Sequence, residues 1–292
     1  MSTAHATTVA QHWDRHVTTA ADRVNWWSSD ACTAAYNERV CGRAVPGNSL
    51  GCRLALSAAA GRPLASGVSV GAGVGQKERA LLVDGIVGHM RMWELSERRA
   101  AEARARASAD GVADRLDARV GNAFVEDKAH YDLVTWDHSL HHMPDVDAAL
   151  AWSIDRLNPG GWLMINDYFG PNRLQWRRHE VDRCNAVLDA INAAHGTRLR
   201  RVRYSNIISR LRMRRRDPSE APHSESMADA VHRHLGVAVT PVGGLAINIL
   251  GGILVPAFPD DHPAIARMVA ADKAALADGE WHFGFALWQK PA

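Results

Sequence analysis

Long hydrophobic runs are missing from this 292-residue chain. The greasiest stretch, residues 243–258, is shorter than the roughly 20 residues that cross a bilayer as a helix, so it reads as a buried segment. Cysteine is scarce. Cys32, Cys41, Cys52 and Cys184 form no C-x-x-C pair and no metal-ligand spacing, which excludes a disulfide scaffold and a zinc ribbon and implies reduced thiols. An excess of one charge is missing too: a net +2 gives no whole-chain argument for nucleic acid or a membrane surface. Arginine far outnumbers lysine, which reads as compositional bias. Residues 1–10 hold no apolar signal core, so the expectation is a cytoplasmic protein. What is present, at 47% hydrophobic residues, suffices for one enlarged α/β domain or a domain with a cap.

The most informative stretch is Val68-Ser-Val-Gly-Ala-Gly-Val-Gly75. A β-branched strand runs into glycines at 71, 73 and 75; Gln76 to Asp84 reads as a helix, and a second strand, His89 to Trp93, ends on Glu94. Glycines at a strand-to-helix turn let the backbone approach a ligand without a Cβ in the way. An acid about 20 residues on, at the tip of the next strand, suits the paired hydroxyls of a ribose. Together they indicate a nucleoside-containing cofactor at the carboxyl edge of a parallel sheet. The dinucleotide fingerprint wants glycine where this chain has Gln76, which disfavours a nicotinamide-dependent oxidoreductase.

Further along, Tyr131-Asp-Leu-Val-Thr-Trp-Asp137 reads as a buried strand ending in an acid, followed by His138-Ser-Leu-His-His-Met143. An amphipathic helix comes next, with apolar positions at Val146, Ala149, Leu150, Ile154 and Leu157, and Asn158-Pro-Gly-Gly161 stops it. A strand from Trp162 to Asn166 then delivers Asp167. Each element has an ordinary explanation alone: a glycine-rich turn is often only a tight turn, and Glu94 could be a solvated helix-start residue. In this order and spacing, however, the chain resembles the class I S-adenosylmethionine (SAM)-dependent methyltransferases. Asn37-x-Arg39-x-x-Gly42, Asn166-Asp-Tyr-Phe-Gly-Pro171, Arg173-x-Gln175-Trp176 and Asp217-Pro-Ser-Glu-Ala221 are similar to a bacterial subgroup acting on small molecules, often secondary metabolites. The likeness extends to C-methyltransferases that modify prenyl groups in indole-terpenoid (teleocidin-type) pathways.

The resemblance implies an α/β, Rossmann-like class I fold with a mostly parallel seven-stranded sheet, N-terminal helices and a helical lid insertion. Residues 1–62 would form a helical cap, 63–168 the SAM-binding half, 169–236 the lid, and 237–292 the completion of the sheet, with a strand at Val237 to Val242, a helix at Pro263 to Asp278 and a strand at Phe283 to Gln289. It further implies that Val70, Gly71, Gly73 and Gly75 surround the methionine part, that Glu94 beside Leu95 takes the ribose, and that Asn122 and Ala123 edge the adenine. Asn122 departs from the usual Asp, but its carbonyl can still accept a hydrogen bond. Asp137 and His138 would lie beside the sulfonium, with Arg39 a weaker candidate for the methionine carboxylate.

Methyl transfer asks the protein mainly to align the reacting groups and exclude water. A hydroxyl or amine acceptor benefits from a base, and His138, His141 and His142 stand just past strand four; histidines there are more often packing residues. His138, His142, Asp167 and Tyr168 are the catalytic candidates. A carbon acceptor would instead need aromatic faces for a developing cation, for which Trp13, Trp26, Trp27 and Trp176 are available. No metal is expected. Asp137 and Asp167 end adjacent strands as in catechol-type enzymes, but Tyr168 replaces their third ligand, and the three histidines are too crowded and acid-poor for zinc. The arginine run from Arg198 to Arg216 reads as a solvated face, and no Pro-Pro-aromatic signature follows Asp137, so neither nucleic acid nor membrane is an expected partner. A small-molecule substrate is. Val9, Trp13 and Val17 in residues 1–20 suggest an amphipathic helix that covers the pocket or mediates a homo-oligomer. A SAM-binding protein without turnover stays open as an alternative.

Overall fold

The computed structural model describes residues 13–14, 24–217 and 219–292. Its centre is a seven-stranded sheet built from β1 (Leu64–Val70), β2 (Val87–Glu94), β3 (Leu116–Val120), β4 (Tyr131–Asp137), β5 (Leu157–Tyr168), β6 (Thr240–Gly243) and β7 (Phe283–Gln289) in the order β3-β2-β1-β4-β5-β7-β6. Strands β1 to β5 are parallel, and β7 runs antiparallel to both β5 and β6. This is the Rossmann-like class I methyltransferase arrangement that the motifs imply. The chain order reverses between β1 and β4, and β1 and β4 both end at that crevice, where open α/β sheets bind ligands.

The central strands carry near-continuous apolar runs because both faces are covered. In β4, Leu133, Val134 and Trp136 are fully buried. Trp136 still satisfies its indole N–H, which donates to Ser153 Oγ at 2.8 Å. Ser153 belongs to α6 (Val146–Arg156), which packs through Val146, Ala149 and Leu150 and is capped by Asp145, whose carboxylate accepts from Ala148 N. Ahead of β1, α1 (Asp30–Cys41) and α2 (Leu50–Ala60) pack on each other; after β1 and β2 come α3 (Gln76–Val83) and α4 (Glu97–Ala109). The buried face of α4 is all alanine, Ala100, Ala103 and Ala107, so its backbone lies close to the sheet. A short helix, α5 (Ala123–Glu126), follows β3.

Residues 169–236 hold α7 (Arg178–His195), α8 (Ile207–Arg216) and α9 (Met227–Leu235), and α9 packs on α6. Between β6 and β7 lie α10 (Leu245–Leu254) and α11 (Pro263–Ala277). The greasy window is thus mostly α10, buried through Leu245, Ile247, Leu250 and Leu254. Among the described residues no helix is long and apolar enough to cross a membrane.

Two boundaries depart from the sequence expectation. Asn158-Pro-Gly-Gly161 does not turn away from the sheet before β5. β4 advances from Tyr131 to Leu133 while its partner advances from Leu157 to Trp162, so the extra residues bulge out of the ladder. Gly160, at φ 74°, permits the bulge, and its N–H reaches the Lys290 carbonyl at 3.0 Å. The strand expected over Val237 to Val242 begins later, at Thr240. The amphipathic helix expected over residues 1–20 lies, apart from residues 13 and 14, outside the described residues.

Candidate active site

At the crevice, β1 delivers Gly71 and Gly73 in the left-handed region, φ 70° and 61°. Glu94, at the tip of β2, holds this loop: its Oε2 accepts from Gly73 N at 2.9 Å, and its Oε1 accepts from Leu95 N at 2.8 Å and Ser96 N at 3.0 Å. Burial pushes the Glu94 carboxyl upward in pKa, against the Arg99 guanidinium 3.9 Å away. Gly75 does a different job. A Cβ there would come 2.9 Å from Met92 Sδ, so this glycine lets the turn pack on β2 and start α3.

A cavity of about 810 Å³ opens at this loop. Its volume suits a cofactor with a small second molecule. Val70, Gly71, Gly73, Glu94 and Leu95 line one part of it, Asn122 and Ala123 another. Asn122 caps α5 by accepting from Phe124 N at 3.1 Å, which fixes its side chain at the rim. These features fit a SAM nucleoside: a glycine turn without side chains, a buried carboxylate and an amide at the far edge.

Asp137, at the end of β4, also faces the cavity. Lys77 Nζ lies 2.7 Å from its Oδ1, and Asn166 Nδ2 donates to the same oxygen at 2.8 Å. Burial alone would raise its pKa, but the Lys77 ammonium outweighs that and holds it below the usual carboxylate range. His138 follows at φ 58°, a strained position for a non-glycine residue, and its ring meets Phe283 at 5.3 Å between centroids. Burial, then the Lys77 charge, push the imidazole down to about 3, so it is neutral at physiological pH. Trp26 and Tyr168 complete this wall: Trp26 lies 5.3 Å and Tyr168 5.7 Å from Phe283, between ring centroids. All three aromatic rings line the cavity.

Asp167 is fully buried and outside the cavity lining. Its Oδ2 accepts from Leu140 N at 2.7 Å and Ser139 N at 3.1 Å, and its Oδ1 binds His141 Nδ1. It shapes the loop that carries the histidines and does not itself face a substrate. Burial would raise it; the His141 imidazole brings it down to about 2. His142 does face the cavity, and burial followed by the neighbouring His141 lowers its pKa. Arg39 is elsewhere: its Nη1 donates to the Val242 carbonyl at 2.9 Å and pairs with Asp272 at 2.6 Å, away from the cavity. Among the described residues the cations that line the cavity include Lys77 and Arg99.

The structure therefore brings Val70, Gly71, Gly73, Glu94, Leu95, Asn122, Ala123, Asp137, His138, His142 and Tyr168 to one cavity, and leaves Arg39, Gly75 and Asp167 outside its lining. Residues that motif reasoning missed are Lys77, Asn248, Phe283 and Glu220. Lys77 could have been suspected as an early α3 residue directly after the glycine turn. Glu220 belongs to the Asp217 to Ala221 motif, to which the sequence assigns no role, and nothing local marks Asn248 or Phe283. Trp13 lines the cavity too, under the Arg99 guanidinium at 4.2 Å from its ring centroid.

Comparison with known proteins agrees with this geometry. A family profile described as "Methyltransferase domain" matches residues 49–210. No curated protein sequence matches significantly. Among solved structures, a geranyl diphosphate methyltransferase in complex with GPP and sinefungin is similar over 99% of this chain and 100% of its own, at 14% identity and TM-score 0.56. A geranyl diphosphate C-methyltransferase from Streptomyces coelicolor A3(2) gives 14% identity and TM-score 0.55 over 99% of this chain and 98% of its own. Phosphoethanolamine N-methyltransferase 2 from Haemonchus contortus gives 16% identity and TM-score 0.52 over 96% of this chain and 60% of its own. At these identities the likeness establishes the fold; the profile spans more than half of the sequence. This chain belongs to the methyltransferase-domain family and is a SAM-dependent methyltransferase of class I fold.

Proposed function

We propose that the enzyme transfers the SAM methyl group to an alkene carbon of a small prenyl-type molecule. The observation that carries this reading is the cavity wall of Trp26, Tyr168 and Phe283 beside the neutral His138. SAM supplies an activated methyl on a sulfonium. An alkene that takes up a methyl cation becomes a carbocation, and aromatic faces stabilise such a charge by about 0.5–2 kcal/mol each. The carbocation must then lose a proton from a neighbouring carbon. That proton is so acidic that an imidazole with a pKa of about 3 suffices as acceptor. An oxygen or nitrogen acceptor would be better served by a base that titrates near working pH. Of the three histidines lining the cavity, His138 and His142 are shifted down by burial. His141, which burial would lower and Asp167 shifts up, has its Nδ1 engaged by the Asp167 carboxylate.

Two further features support the reading. Leu174, Ser219 and Glu220, from the insertion after β5, join the cavity lining, so the insertion forms a lid that keeps water from a cationic intermediate. The two geranyl diphosphate methyltransferase structures match this chain across its full length, insertion included.

The test is to incubate the enzyme with SAM carrying a 13C methyl group and a panel of prenylated compounds, then record carbon NMR of the products. A new methyl bonded to carbon is expected. Methoxy or N-methyl signals alone would replace this reading with O- or N-methylation. Trp26→Leu and Phe283→Leu should each lower kcat roughly 3- to 30-fold, with SAM affinity unchanged.

A further inference from the structure

We propose that His141, His142 and Glu220 form a binding site for a divalent transition-metal ion on the wall of the substrate chamber. The sequence alone argues against a zinc set, because the clustered histidines lack a neighbouring acid. The fold supplies one from the lid. Among the described residues, one nitrogen from each imidazole and one Glu220 oxygen lie within 4.8 Å of one another. All three residues line the cavity that the glycine loop opens into.

Three observations point to a metal. The first is how each histidine is held. His142 Nδ1 lies 3.1 Å from the Ser219 carbonyl oxygen, which can only accept, so the proton is on Nδ1 and Nε2 carries the lone pair. His141 Nδ1 is bound by the Asp167 carboxylate, and backbone N–H groups of Ser139, Leu140 and Tyr168 hold that carboxylate in place. An oxygen acceptor behind Nδ1 is the usual support of a metal-ligating histidine, because it sets the tautomer and the ring direction. Here it occurs twice, on adjacent residues.

The second is spacing. His141 Nε2 and Glu220 Oε1 are 3.7 Å apart. That is too long for a charge-assisted hydrogen bond of about 2.7–2.9 Å. It is close to the roughly 3.4 Å between two ligands bound tetrahedrally to one ion at about 2.1 Å. The third is the donor set. The two imidazole rings stand side by side, 4.1 Å between centroids, so both can reach one ion. Two imidazoles and one carboxylate suit zinc, iron, manganese or cobalt, whereas magnesium favours oxygen donors.

Three protein ligands leave positions open, as in sites that bind a substrate or water. Those positions face the chamber, so the ion would hold an oxygen donor of the acceptor molecule, such as a phosphate, carboxylate or chelating hydroxyl pair. This second step rests on the acceptor occupying the chamber; the metal site itself does not.

Isothermal titration of the chelator-stripped enzyme with Zn2+, and visible absorption with Co2+, test the site. One saturable site per protein molecule is expected, weakened at least tenfold by His142→Ala and by Glu220→Gln. SAM affinity should be retained in both variants, which shows that they are folded. Absence of a saturable site, or binding equal to wild type in both folded variants, would overturn the proposal. The 13C product assay on the metal-free enzyme reports the acceptor atom separately, so failure of one reading is distinguishable from failure of the other.

Discussion

Lys77 Nζ contacts Asp137 twice, 2.7 Å from its backbone carbonyl and 2.7 Å from its carboxylate. The second residue of α3 is thereby fastened to the last residue of β4, on opposite sides of the glycine turn. Asp137 keeps its negative charge in the wall of the cavity, and Lys77 is what makes that buried charge tolerable. Removing one partner of such a pair strands the other. Lys77→Met should lower unfolding stability by about 2–4 kcal/mol in urea titrations. The Lys77→Met, Asp137→Asn double variant should lose less than the two single losses combined. Strict additivity would mean that the contact carries no coupling.

Glu94 pins Gly73 and Leu95 through their N–H groups, and we propose that its remaining lone pairs take a ribose. Glu94→Ala should weaken SAM binding by about 1–3 kcal/mol, measured calorimetrically. Glu94→Gln should recover part of the loss, since its carbonyl accepts at one of the two sets of N–H groups. Unchanged affinity in Glu94→Ala would remove the ribose role.

Acid should destabilise this protein partly through His138. Its imidazole is brought from an ordinary value of 6.5 down to about 3 in the folded protein, by burial and by Lys77. The unfolded protein takes up a proton below pH 6.5 that the folded one refuses. This contribution to stability is therefore full above about 6.5 and is lost progressively as pH falls towards 3. His138→Asn suits the φ of 58° and cannot titrate. Its melting temperature should fall less than that of wild type between pH 7 and pH 4. Parallel curves would show that His138 is freely protonated in the native state.

The four thiols should react very unequally. Cys32, Cys52 and Cys184 are buried, and burial pushes Cys32 up to about 11 and Cys184 up to about 12. Only thiolate attacks a disulfide reagent. Cys41 is half-exposed, so a chromogenic disulfide reagent at pH 8 should titrate one thiol in the native enzyme and four in urea. Fast modification of a second native thiol would contradict the burial of α1, α2 or α7.

Local chemistry made much of this enzyme legible from the amino-acid sequence. Glycines at 71 and 73 suit a turn where φ is positive, Glu94 closes a short apolar run, and a run such as Tyr131 to Asp137 fits a strand covered on both faces, the habit of parallel sheets. Each of these is a property of a few adjacent residues, so the cofactor edge and the class of fold follow without tertiary information. Phe283 to Gln289 read correctly as a strand for the same reason.

Tertiary structure decided which side chains share a surface. Arg39 and Lys77 are both cations near plausible positions, yet Arg39 is taken by Asp272 while Lys77 reaches Asp137, because α1 packs against α11 and α3 lies beside the crevice. Asp167 reads from the sequence as a second acid in the site, but four backbone N–H groups and the His141 ring turn it inward to hold a loop. Glu220 meets His141 and His142, and Phe283 meets His138, only because the insertion and the last strand return to the carboxyl edge of β4. Contacts between residues so distant in sequence depend on the entropy and packing of everything between them, and no local pattern encodes that sum.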